Sequence, residues 1–118
     1  MTLIATIFTV LVAFEFFYIM YLETFATDSE QASKVFNISQ KNLKDKNLNI
    51  LFKNQGIYNG FLGVGLIYGL VFEKSIIVPI LTYIVAVATY GAITSNKKII
   101  LTQGGLAILS LILIFTGF

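Results

Sequence analysis

Apolar runs long enough to cross a bilayer recur four times along the chain. Spanning about 30 Å of hydrocarbon at about 1.5 Å per residue takes about 20 mostly apolar residues. Segments 2–22, 54–72, 76–94 and 99–118 fit that template. The pattern therefore predicts an all-α, polytopic fold, with residues 1–118 forming a single transmembrane domain built as a four-helix bundle. Glu73-Lys74-Ser75 and Ser95-Asn96-Lys97-Lys98 leave room only for tight turns. Such short links make the second and third helices, and then the third and fourth, antiparallel neighbours.

The connection 23–53 breaks this rhythm. It carries Glu23, Asp28, Glu30 and Asp45 together with Lys34, Lys41, Lys44, Lys46 and Lys53, and is too polar to lie in lipid. Two short helices are predicted within it, lying along the membrane surface. Asp28 or Ser29 can cap a turn through Val35 and Phe36, and Ser39 can cap a helix carrying Leu43, Leu48, Ile50 and Leu51 toward the second span.

Lysine placement orients the bundle. With Lys97 and Lys98, the five loop lysines share one side of the membrane, against Lys74 alone on the other. The positive-inside rule makes the loop side cytoplasmic and predicts a multi-pass protein of the cell membrane with both termini outside. Met1 to Phe14 carries no Lys or Arg, and the apolar run continues without an A-x-A site, so the first segment reads as a retained helix and not a cleaved signal.

Composition agrees and removes much chemistry. The 118 residues are 57% hydrophobic and 12% charged, which fits the lipid bilayer as the principal partner. A net charge of +2, scattered along the chain, builds no phosphate-tracking surface, so nucleic acid is excluded as a partner. Without Cys or His there are no disulfides, thiol nucleophiles or imidazole bases, and the usual zinc and haem ligands are missing. No cofactor, metal site or catalytic set is predicted.

Small residues supply packing surfaces. Gly56, Gly60 and Gly63 share one face of the second span, and Gly65 and Gly69 lie on nearly the opposite one. Ala88 and Ala92 repeat the spacing in the third span, and Gly104-Gly105 opens the fourth. These strips suit close helix contacts within one bundle or in a homo-oligomer. No strand precedes them and no nucleotide-loop spacing is present, so they form no phosphate cradle.

Polar residues inside the spans carry the functional signal, because an ionisable group at the bilayer centre costs roughly 2.5 to 3.5 kcal/mol. Counted from the inner end of each span, Glu15, Asn59, Tyr90 and Gln103 all lie roughly 8 to 10 Å deep. Tyr18 is one turn from Glu15 and Gln55 one turn from Asn59, with Asn54 and Tyr58 on an adjoining face. The predicted site is a polar layer of Glu15, Tyr18, Asn54, Gln55, Tyr58, Asn59, Tyr90 and Gln103, able to bind a ligand or a proton. Its hydroxyls and amides can hydrogen-bond a carboxylate in either protonation state. Outward of it only Thr6, Thr9, Tyr68, Thr82, Tyr83 and Ser110 are polar, which leaves no continuous water path through one bundle.

The strings Glu15-Phe16-Phe17-Tyr18-Ile19-Met20-Tyr21-Leu22-Glu23 and Asn54-Gln55-Gly56-Ile57-Tyr58-Asn59-Gly60-Phe61, with Tyr90-Gly91-Ala92 and Gln103-Gly104, carry a resemblance. Over essentially its whole length the chain resembles the small bacterial membrane proteins called domain of unknown function 1304. The resemblance implies four membrane helices, no assigned activity, and recurrent positions at Glu15, Tyr18, Glu23, Asn54, Gln55, Tyr58, Asn59 and Gln103. A looser resemblance is to the small multidrug resistance exporters, which use a lone membrane glutamate on the first of four helices. This chain departs from them in having no Trp for cation stacking and a long first loop. Another weak resemblance is to the membrane glutathione and eicosanoid enzymes, echoed by Lys53-Asn54 and Tyr58-Asn59. Here Arg is absent altogether, and Tyr58 stands where an acidic residue would be.

Three functional classes follow. The first is a non-catalytic membrane module binding a small lipophilic molecule, such as a lipid or quinone, at the polar layer near the cytoplasmic face. The second is a proton-coupled transporter or exporter in which Glu15 alternates between proton and substrate. The third is an enzyme on a lipophilic substrate with Glu15 as acid or base, assisted by Tyr18 or Tyr58. The first is the reading adopted.

Overall fold

The computed structural model describes residues 1–118 and is all helical, with seven α-helices and no strand. They are α1 Leu3–Met20, α2 Glu30–Phe36, α3 Gln40–Leu43, α4 Lys46–Val71, α5 Ile77–Thr94, α6 Ile99–Thr102 and α7 Gly105–Thr116. The chain divides into two compact units, one of 1–13 with 64–118 and one of 14–63, so α1 and α4 each contribute to both.

In the first unit α5 packs on α6 and α7. Ile77, Leu81, Ile84 and Ala88 are buried at helical spacing, which aims one stripe of α5 inward. Pro79 sits in its first turn, where a missing N–H removes no helical bond. Gly65 and Gly69 let isoleucines approach: an added Cβ would lie 3.0 Å from Ile80 Cδ1 and 2.9 Å from Ile77 Cγ1 respectively. Ala5, Thr9, Val12, Leu66, Ala107 and Ser110 are also buried. Thr9 donates to the Ala5 carbonyl at 2.9 Å, so its oxygen accepts from Ser110 across 2.9 Å, and both buried hydroxyls are satisfied.

The fourth apolar segment is not one straight helix. Gln103 and Gly104 separate α6 from α7, and their flattened backbone brings Ile100 O within 2.8 Å of where a Gly104 Cβ would stand. A glycine pair is a usual site for such a kink.

In the second unit three side-chain caps organise residues 23–53. Ser29 Oγ accepts from Ala32 N at 3.1 Å, which starts α2, and Asn37 in the left-handed region ends it. Ser39 Oγ accepts from Asn42 N at 3.1 Å and starts α3. The helix predicted to run from Ser39 toward the second span stops at Leu43, because Asp45 Oδ2 accepts from Leu48 N at 3.1 Å and caps a new helix. Consequently α4 begins at Lys46, well before residue 54. Beneath these turns Leu22, Ala32 and Leu43 are fully buried, flanked by Phe36, Ile38, Leu48 and Phe52. The Phe36 and Phe52 rings lie 5.5 Å apart.

The helical segments Leu3–Phe25 and Lys74–Thr94 are long and apolar enough to cross a membrane, and Gly105–Thr116 is apolar but shorter. At 26 residues α4 has the length, but its first half carries Lys46, Asn47, Asn49, Lys53, Asn54 and Gln55. Exposed positions are widely apolar. Leu3, Ile4, Ile7, Leu11 and Phe14 of α1 are exposed, whereas Thr9 is buried.

Candidate functional site

Glu23 is the most completely enclosed charged residue, at 1% exposure. It lies where the first helix widens: Ala26 N donates to Tyr21 O at 2.9 Å, an i to i+5 bond that re-aims the side chains of Tyr21–Phe25. Single wide turns of this kind recur at functional sites.

Two amides of α4 hold the Glu23 carboxylate. Gln55 Nε2 donates to Oε2 at 2.7 Å and Asn59 Nδ2 donates to Oε1 at 2.6 Å. Gln55 and Asn59 stand one turn apart, so both reach the same point. Gly56 lies between them, and a Cβ there would be 3.0 Å from Glu23 Cβ and 3.1 Å from Thr24 N. Its missing side chain is what admits the acidic residue. Gly60, a turn further, makes the same space for Met20. Thr24 Oγ1 donates to the Lys53 carbonyl at 2.9 Å and Thr27 Oγ1 to the Glu23 carbonyl at 2.7 Å, which ties the wide turn down.

Glu15 has a different environment. It stands two turns before Glu23 on α1 and is half-buried, and its buried Oε1 has no hydrogen-bond partner. A buried acceptor without a donor is costly. The two carboxylates thus differ: each Glu23 oxygen accepts one amide N–H, whereas Glu15 Oε1 accepts none.

The remaining predicted positions have other surroundings. Tyr18 is exposed, and its hydroxyl accepts from Gln31 Nε2 of α2 at 3.1 Å. Asn54 donates to the Ile50 carbonyl of its own helix at 3.0 Å. Tyr58 is 75% exposed. Tyr90, 70% exposed, and Gln103, half-buried at the α6–α7 junction, belong to the first unit. Gln55 and Asn59 are brought together, around Glu23 and not around Glu15. Glu23 ended the apolar run and so read as the first loop residue. The resemblance marks it among the recurrent positions, and Gly56 between two amides one turn apart is a further signal for it. No group of three or more His, Cys, Asp or Glu converges to hold a metal ion.

A family model described as "Protein of unknown function (DUF1304)" matches residues 10–115. The chain is 58% identical to a protein of Lactococcus lactis subsp. lactis (strain IL1403) described as "Uncharacterized protein YpaA", over 95% of this chain and 97% of the relative. No solved structure matches.

Proposed function

The chain belongs to this DUF1304 family of unknown function, and from that premise we propose that it is a multi-pass membrane protein binding a small lipophilic molecule beside Glu15. The four spans are residues 2–22, 54–72, 76–94 and 99–118, the second of them the stretch of α4 from Asn54 onward. The lysine-rich segment 23–53 lies on the cytoplasmic face and both termini lie outside.

Support for the membrane placement comes from the outward faces. A water-soluble helix turns its polar stripe outward, but α1 exposes Leu3, Ile7, Leu11 and Phe14 while burying Thr9. Phe61, Val64 and Tyr68 on α4, Val87 and Ile93 on α5, and Ile112 and Phe115 on α7 repeat the pattern. Hydrocarbon is the solvent that such surfaces match.

The single observation that carries the binding reading is the open Glu15 Oε1. In a low-dielectric setting it favours a ligand that offers a hydrogen-bond donor or a positive charge, with an apolar body to lie among Phe14, Phe17 and Tyr18.

Equilibrium binding of two probes to the purified chain in nanodiscs tests this: tetraphenylphosphonium, a lipophilic cation, and nonylphenol, a neutral donor. At least one should bind saturably, and Glu15→Gln should weaken it by roughly tenfold to a hundredfold, the loss of one charge-assisted contact. Glu73→Gln, at an exposed turn, should leave it unchanged. Absence of saturable binding by both probes, or equal binding by Glu15→Gln, would refute the proposal. Net movement of the bound probe across proteoliposomes would extend it to the proton-coupled export reading.

A further inference from the structure

Within the second unit a cleft of about 470 Å³ opens between the wide turn after α1 and the start of α4. Lys44, Lys46 and Lys53 line it, with Asp28 as the one carboxylate. Lys34 and Glu30, 3.3 Å apart, form the sole ion pair of the chain, so none of the three cleft lysines is in direct contact with a carboxylate. Asp45 is next to two of them in sequence, but its carboxylate is turned onto its own helix, accepting from Leu48 N.

Three other polar lining residues are tied to the backbone. Thr24 and Thr27 donate to backbone carbonyls, and Asn49 Nδ2 donates to Leu43 O at 3.0 Å. The cleft therefore brings together three lysines and one carboxylate, Asp28, an excess of positive charge that favours an anion with several acceptor oxygens. Phe25 and Ile50 also line it and are 70% and 48% exposed, so exposed apolar side chains share the lining with the lysines. A freely soluble anion has no use for those side chains, whereas a phospholipid has both a phosphate and an acyl chain.

We propose that this cleft holds the phosphate headgroup of an acidic phospholipid from the cytoplasmic leaflet, with Lys44, Lys46 and Lys53 on the phosphate and Phe25 and Ile50 against the glycerol and first acyl carbons. The inference rests on the membrane placement proposed above and is independent of Glu15, so Glu15→Gln leaves it intact.

Native mass spectrometry of the full chain in nonionic detergent, titrated with phosphatidylglycerol, phosphatidylcholine or glycerol 3-phosphate, tests it. Phosphatidylglycerol should occupy one saturable site, at least about tenfold tighter than phosphatidylcholine, and glycerol 3-phosphate should not displace it at equal concentration. Each lysine should contribute about fivefold, so the Lys44→Gln, Lys46→Gln, Lys53→Gln triple variant should bind roughly a hundredfold more weakly. A Lys41→Gln, Lys97→Gln, Lys98→Gln triple variant, which removes the same charge elsewhere, should stay within about threefold. If the first triple variant loses helicity by circular dichroism, the fivefold loss is read from Lys53→Gln alone. Equal losses in both triple variants would overturn the proposal in favour of diffuse attraction. Equal affinity for glycerol 3-phosphate would overturn the lipid as occupant, and equal affinity for phosphatidylcholine would overturn recognition of the phosphate charge.

Discussion

Replacing Glu23 by alanine removes the acceptor that two amides share, and the structure sets the size of the effect. Asn59 is half-buried and its 2.6 Å bond ends on a carboxylate at 1% exposure, so losing it strands a donor with little access to water. A hydrogen bond to a charged group contributes roughly 1.5 to 3 kcal/mol. Gln55 is exposed and can turn to solvent or headgroups, so its 2.7 Å bond counts for less, about 0.5 to 1 kcal/mol. Glu23→Ala should therefore destabilise the fold by roughly 2 to 4 kcal/mol. In a double-mutant cycle, Glu23→Ala and Asn59→Ala should couple by at least about 1 kcal/mol. Reversible unfolding in mixed micelles, followed by circular dichroism at 222 nm, measures both quantities. A loss below about 0.5 kcal/mol for Glu23→Ala, or additive single effects, would show that the clamp holds nothing together.

The same unfolding assay reads the small residues. Gly56→Ala places a Cβ against Thr24 backbone and Glu23 Cβ and should cost roughly 1 to 3 kcal/mol, whereas Gly60→Ala meets the flexible Met20 side chain and should cost less than about 1 kcal/mol. Gly105→Ala meets nothing within 4 Å at the start of α7 and should be neutral to slightly stabilising. Ser110→Ala breaks the buried bond to Thr9 and should cost about 0.5 to 1.5 kcal/mol. Asp45→Ala removes the α4 cap, and hydrogen exchange should show faster opening at Leu48 with a local loss of about 1 kcal/mol.

Local signals in the sequence were legible where one residue decides a local structure. Ser29, one of two caps the sequence offers, starts α2, and Ser39 does cap a helix, though one that ends at Leu43 and does not run on to Leu51, and the Gly65 and Gly69 strip does receive closely packed neighbours. The break at Asp45 was missed because capping competes: Ser39 and Asp45 both satisfy start signals, and apolar spacing through Leu48 and Ile50 suits either helix. Glu23 was harder to read. An apolar-run template stops at the first charge, and nothing local to Leu22-Glu23 announces that Gln55 and Asn59 will hold the carboxylate. Long-range pairing of that kind is set by where Gly56 lets two helices meet, a tertiary property. Glu15 shows the converse, since its apolar flanks marked it as exceptional from the sequence and its open Oε1 sets it apart in the structure.

Everything proposed for Glu15 and the lysine cleft depends on where the segments lie relative to a bilayer, and single-cysteine labelling tests that most directly. The chain contains no cysteine, so Lys41→Cys, Ser75→Cys and Lys97→Cys each introduce one reactive thiol, all at exposed positions. With an impermeant maleimide, Ser75→Cys should react in intact cells, and Lys41→Cys and Lys97→Cys only in inverted membrane vesicles. Labelling of Ser75→Cys and Lys97→Cys from the same side would mean that α5 does not cross, and would contradict the four-span account.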